Sequence, residues 1–185
     1  MPLDTIRSDT RECTPARAKS MVAKVSTTMA SVCVVTLLNA CAAPASADSL
    51  SRSVDVNGTP DAVWSMIGPF CAIKDWLPPV GTCTVDGATP PTRTLVTKDG
   101  KATFVELQTA RDDAKHLYSY TFVSSPLPVT HYTSTITVTA KSGGISTVTW
   151  TGVYTPEPGR EKDANDTLSG IYKSGLDMIK TKLAN

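Results

Sequence analysis

The chain has 185 residues, 41% of them hydrophobic and 19% charged, with a formal charge of +1, a composition that fits an ordinary globular protein with one sizeable core. The charge is uneven, because residues 1–47 carry five Lys/Arg against three acids and leave thirteen basic against fourteen acidic residues beyond. From Asp48 onward the chain is close to neutral and has no basic stripe interleaved with aromatics, which argues against nucleic acid as a partner.

Lys24 precedes a mostly apolar run from Met29 to Ala43, and small residues then lead to Ala45-Ser46-Ala47. A positive start, an apolar centre and an Ala-x-Ala site form the pattern of a bacterial-type secretory signal. Thr36 and Asn39 interrupt the run, which is also short for a transmembrane span. Residues 1–47 therefore read as an N-terminal extension with a secretory signal, and residues 48–185 as the domain, exported to the periplasm. Leu38-Asn39-Ala40-Cys41 also resembles a lipoprotein box, and on that alternative Cys41 is acylated and anchors the domain to a membrane. The remaining alternative is a buried N-terminal helix.

Cleavage after Ala47 removes Cys13, Cys33 and Cys41 and leaves Cys71 and Cys83. Two cysteines in an oxidising compartment point to a disulfide, with two buried free thiols as the alternative. The sequence has no CxxC and no Cys/His cluster, so neither a metal site nor a cofactor is expected. Nothing in the sequence sets an oligomeric state.

From Leu50 the residues alternate up to Asn57-Gly58, a short strand closed by a turn. Thr59 is placed as the N-cap and Pro60 as the first residue of a helix that ends at Gly68-Pro69. A second short helical piece covers Phe70 to Trp76 and runs into Pro78-Pro79. Period two then predicts six strands: Thr82–Val85, Thr92–Lys98, Ala102–Thr109, His116–Val123, Thr130–Ala140 and Ile145–Thr155. The turns between them include Asp86-Gly87, Asp99-Gly100 and Arg111-Asp112-Asp113. After Gly159 the period becomes helical, with one stripe formed by Leu168, Ile171/Tyr172, Leu176, Ile179 and Leu183. Gly170 and Gly175 interrupt that helix and mark either close helix-to-sheet packing or room for a ligand. The expected class is α+β in the order β-α-α-β6-α, a seven-stranded curved antiparallel sheet around a long C-terminal helix.

Over about residues 50–184 this order resembles the helix-grip fold of the SRPBCC (START/Bet v 1-like) superfamily. The resemblance is carried by Val56-Asn57-Gly58-Thr59-Pro60-Asp61-Ala62-Val63-Trp64, Phe70-Cys71-Ala72-Ile73-Lys74-Asp75-Trp76, Arg93-Thr94-Leu95, Glu106-Leu107, Tyr118-Ser119-Tyr120, His131-Tyr132, Thr149-Trp150 and Gly175-Leu176. These segments are most similar to the bacterial polyketide cyclase/dehydrase and lipid-transport-like branch and, more distantly, to plant abscisic acid receptors. In the receptors the equivalents of Glu106, Tyr120 and Tyr132 face the cavity. The receptors' gate loop is reduced here to Asp99-Gly100.

A two-residue turn at Asp99-Gly100 pairs Lys98 with Lys101 and sets Arg93 opposite Glu106 and Leu95 opposite Phe104, all on one face. If that face is concave, a guanidinium and a carboxylate meet inside an apolar cavity. If it is convex, they form an exposed cross-strand pair. Tyr118, Tyr120 and Phe122 share a face, as do Tyr132, Ser134 and Ile136, and these aromatics, like Trp76 and Trp150, serve either core packing or a ligand. The ligand-binding set is thus Arg93, Glu106, Tyr118, Tyr120, Tyr132 and Trp150.

The chain shows no Ser/His/Asp order and no phosphate loop, and His131 points away from the face of Tyr132. The expectation is a carrier or binding protein for a small hydrophobic ligand, lipid-like or aromatic. Two other readings stand beside it. One is an enzyme of the cyclase/dehydratase type with Glu106 as base and Tyr120 or Tyr132 as donor, and the other is an accessory factor for a periplasmic partner enzyme.

Overall fold

The computed structural model describes residues 46–184. Residues 1–45, on which the expected secretory signal and the alternative box at Cys41 fall, lie outside the described residues. Among the described residues no helix is long and apolar enough to cross a membrane.

The elements follow the expected order: β1 (Asp48–Asn57), α1 (Pro60–Ile67), a 3-10 turn (Phe70–Ala72), α2 (Ile73–Trp76), β2 (Val80–Val85), β3 (Thr92–Thr97), β4 (Thr103–Asp112), β5 (Leu117–Ser124), β6 (Val129–Lys141), β7 (Ile145–Pro156) and α3 (Glu161–Lys182). One antiparallel sheet runs β1-β7-β6-β5-β4-β3-β2. Thr59 caps α1 by accepting the Ala62 amide at 3.3 Å, with Pro60 in the first turn, where its missing N–H costs nothing.

The β3–β4 register is as the turn chemistry requires, with Arg93 opposite Glu106 and Leu95 opposite Phe104. The loop that produces it is wider than expected. Thr97 and Ala102 close it, and the Lys98 amide donates to Pro79 O at 2.9 Å instead of pairing with Lys101. β4 also ends three residues later than its alternation indicates, at Asp112. Its partners jump from Gln108↔Tyr120 to Ala110↔Ser119, so Thr109 is the extra residue of a bulge that reverses which side chains face inward. A second shift, between Val105↔Ser124 and Glu106↔Phe122, pushes Val123 out to solvent. In β6 the pairing skips from Thr130 to Thr133, with His131 at φ 51° exposed and Tyr132 buried. These bulges bend the sheet around α3.

α3 turns Ala164, Leu168, Tyr172, Gly175, Leu176 and Ile179 inward. Its two glycines differ in purpose. A Cβ at Gly175 would sit 2.9 Å from Trp150 and 3.2 Å from both Trp76 and Leu77, whereas nothing lies within 4 Å of one at Gly170. Gly175 thus serves close helix-to-sheet packing. Gly170→Ala is therefore expected to stabilise the fold by roughly 0.5–1 kcal/mol and Gly175→Ala to destabilise it by about 1–3 kcal/mol. Urea denaturation of the two variants measures both signs.

Cys71, in the 3-10 turn, is bonded to Cys83 of β2 with Cα atoms 5.5 Å apart, which ties the α2 segment to the sheet edge. The closed loop spans a sequence separation of 12, worth on the order of 3 kcal/mol by the chain-entropy model. A Cys71→Ser/Cys83→Ser variant should lose about that much, read as a lower urea midpoint. An unchanged midpoint would show that packing alone holds the α2 segment.

Candidate functional site

The concave face of the sheet meets α3 and α2 around a cavity of about 190 Å³. Four sequence-nominated residues stand on its wall: Glu106 from β4, Tyr120 from β5, Tyr132 from β6 and Trp150 from β7. Arg93 and Tyr118 do not. Both are fully buried behind the wall, because Tyr118 is wedged between Trp64 (5.8 Å) and Phe70 (5.6 Å) and Arg93 is turned toward the 3-10 segment.

Arg93 donates from Nε to Glu106 Oε2 at 2.5 Å and from Nη1 to the Phe70 carbonyl. Its guanidinium carbon lies 4.1 Å from the centre of the Phe70 ring and 4.9 Å from that of Tyr120, so aromatic faces replace water around the cation. Glu106 Oε1 takes no hydrogen bond among the described residues and belongs to the carboxyl on the cavity wall. Burial pushes the Glu106 carboxyl above its usual range, and Arg93 pulls against that rise. Burial alone would lower the Arg93 value, but the Glu106 charge, the neighbouring Tyr118 and Tyr120 and the hydrogen bond to Glu106 together reverse this and raise it.

On the other side of the cavity the hydroxyls form one chain. Ser134 Oγ donates to Thr151 O at 2.7 Å and accepts Trp150 Nε1 at 2.8 Å. With the Ser134 proton committed, Tyr172 must donate to Ser134 at 3.0 Å and Tyr132 to Tyr172 at 2.8 Å. The Tyr120 oxygen accepts Trp150 Nε1 at 3.2 Å, but its proton is left with Tyr132 at 3.4 Å, a poor bond, so the Tyr120 proton is the loose end of the chain at the cavity wall. Burial raises the pKa of Tyr120 and Tyr132 well above the ordinary phenol value and pushes Tyr172 up to about 12.

Tyr172 is the member of the hydroxyl chain that sequence reasoning took only for part of the helix stripe. Its ring stacks on Trp150 at 4.2 Å, and Gly152 leaves space for its hydroxyl, since a Cβ there would be 2.3 Å from the oxygen. A tyrosine in the stripe facing a glycine in a strand was the available signal. Apart from Thr97 the remaining wall is apolar, with Leu95, Phe104, Phe122, Leu127, Leu168 and Ile171 prominent.

A family model described as polyketide cyclase/dehydrase and lipid transport matches residues 47–184. The chain belongs to the polyketide cyclase/dehydrase and lipid-transport family. Among solved structures similar to this member is the protein XoxI from Bacillus cereus, at 30% identity and TM-score 0.70, over 74% of this chain and 96% of that one. The Zhui aromatase/cyclase from Streptomyces sp. R1128 is 13% identical with TM-score 0.62, over 75% and 94% of the two chains. Norcoclaurine synthase from Thalictrum flavum, solved with dopamine and hydroxybenzaldehyde, is 16% identical with TM-score 0.61, over 75% and 87%. At such identities the last two show the polyketide cyclase/dehydrase fold alone. A search of curated proteins finds no match.

Proposed function

We propose that the domain is an exported binding or carrier protein that holds a small, mainly apolar molecule in the cavity between sheet and α3. The observation that carries this reading is the cavity itself: a partly open apolar space with one unengaged carboxylate oxygen on its wall, the usual constitution of a small-molecule site. Export is argued from the leader, and the intact mass of the secreted form tests it. A chain beginning at Asp48 supports soluble export, and a diacylglyceryl adduct on Cys41 supports the anchored form instead.

Native mass spectrometry of protein purified from its own source tests the carrier role. A co-purifying small molecule supports it, whereas an empty domain bound to another protein favours the accessory role. A second reading has its own observation, namely that Glu106, a proton acceptor, and Tyr120, a loosely held donor, face the same cavity. That pairing suits ring closure with loss of water, as in a cyclase/dehydratase. Turnover of a polyketide-like substrate, abolished in Glu106→Gln, would establish it.

A further inference from the structure

Resting on the cavity being the binding site, we propose that its occupant is a neutral single-ring aromatic bearing one hydroxyl, a simple phenol, rather than a long-chain lipid. Size sets the first limit. At about 190 Å³ the space is little larger than the roughly 150 Å³ apolar cavity that takes benzene and smaller than the ~300–1,000 Å³ of common ligand sites. One substituted ring fills it, and a long acyl chain would be covered only in part, with the rest left outside.

Charge sets the second. Arg93 and Glu106 are the only buried basic and acidic side chains among the described residues, and they neutralise each other. A carboxylate or ammonium ligand would bring an uncompensated charge into an apolar cavity, where the lost hydration is not replaced.

Hydrogen bonding sets the third. On the wall, the Thr97 hydroxyl is engaged with Asp99 at 2.6 Å, while Trp150 and Tyr132 are committed within the hydroxyl chain. Two groups remain: Glu106 Oε1, which only accepts, and the Tyr120 hydroxyl, which has a proton to give. They come from diagonal cross-strand positions, since Glu106 pairs with Phe122 and Gln108 with Tyr120, within reach of a shared partner for side chains of this length. A ligand hydroxyl satisfies both, donating to Glu106 and accepting from Tyr120. A carbonyl or ether only accepts, and an ammonium only donates.

Isothermal titration calorimetry of the full chain with p-cresol, toluene, 4-methylanisole, 4-methylbenzoate and palmitate tests this. The expected result is p-cresol binding about tenfold or more tightly than toluene, as a hydrogen bond to a charged group allows. 4-Methylanisole should be no better than toluene, and neither anion should bind. Tyr120→Phe should shrink the p-cresol advantage over toluene, with both ligands measured in the same variant. Equal affinity for p-cresol and toluene, or palmitate binding more tightly than p-cresol, overturns the phenol assignment while the cavity remains a binding site. If no aromatic and no lipid binds, the cavity reading itself fails and the assignment with it.

Discussion

Arg93→Met is expected to destabilise the domain by about 3–5 kcal/mol, because it strands the Glu106 carboxylate in an apolar interior. The side chains are 0% and 5% exposed, so bulk water is poorly placed to replace the lost partner. The substitution also removes the cation held against the faces of Phe70 and Tyr120. The double variant Arg93→Met/Glu106→Leu should recover most of the loss, since replacing a whole buried pair by apolar residues of similar volume is often nearly neutral. Urea denaturation of the wild type, both single variants and the double variant gives the coupling as a thermodynamic cycle. Additive single effects would mean that the two groups are buried independently and that their 2.5 Å contact contributes nothing.

Above pH 10 the domain should lose stability steeply, and none of its tyrosines should ionise at the ordinary value while it stays folded. All five tyrosines of the chain, at positions 118, 120, 132, 154 and 172, have pKa values raised by burial, with Tyr172 pushed up to about 12. A group whose folded pKa exceeds its unfolded one contributes stability in full below the unfolded value, here about 10, and loses it as pH rises through the folded value. The loss therefore falls in the window from about pH 10 upward, with several phenols contributing together. In an alkaline titration, tyrosinate absorbance should appear together with loss of the circular dichroism signal. Gradual ionisation near pH 10 with the signal intact would show that the cavity wall is open to solvent.

The contrast between what could and could not be read from the residues lies in the bulges. Arg93 opposite Glu106 was legible because any loop that preserves the β3–β4 register gives the same facing pairs, even though Thr97 and Ala102, not Lys98 and Lys101, close it. Strict alternation fails at Thr109, where β4 reverses its inward parity. After that point Arg111 swings in to reach the Gly68 carbonyl at 2.8 Å and the face of Trp64, residues the sequence reading had assigned to a turn and a helix. Alternation also could not say that Arg93 and Tyr118 lie one layer behind the cavity wall, since period two assigns a face but not a depth. The link from Tyr132 to Tyr172 joins residues 40 positions apart and depends on where α3 crosses β7, which no local pattern encodes.

The order of strands leaves β1 and β2 as the two outer strands, and each meets the hazard of an open edge differently. β1 is long, but it carries the charged side chains of Arg52 and Asp55, with Arg52 bonded to Ser169 of α3 and Asp55 paired with Lys141. β2 is only six residues long, is irregular between Val80 and Thr82, and is fastened through Cys83 to Cys71. A short, kinked and tethered strand is a poor template for another chain. The covalent link between the α2 segment and β2 thereby also helps guard the molecule against edge-to-edge self-association, and a reducing environment would leave only the shortness and irregularity of β2 to do so.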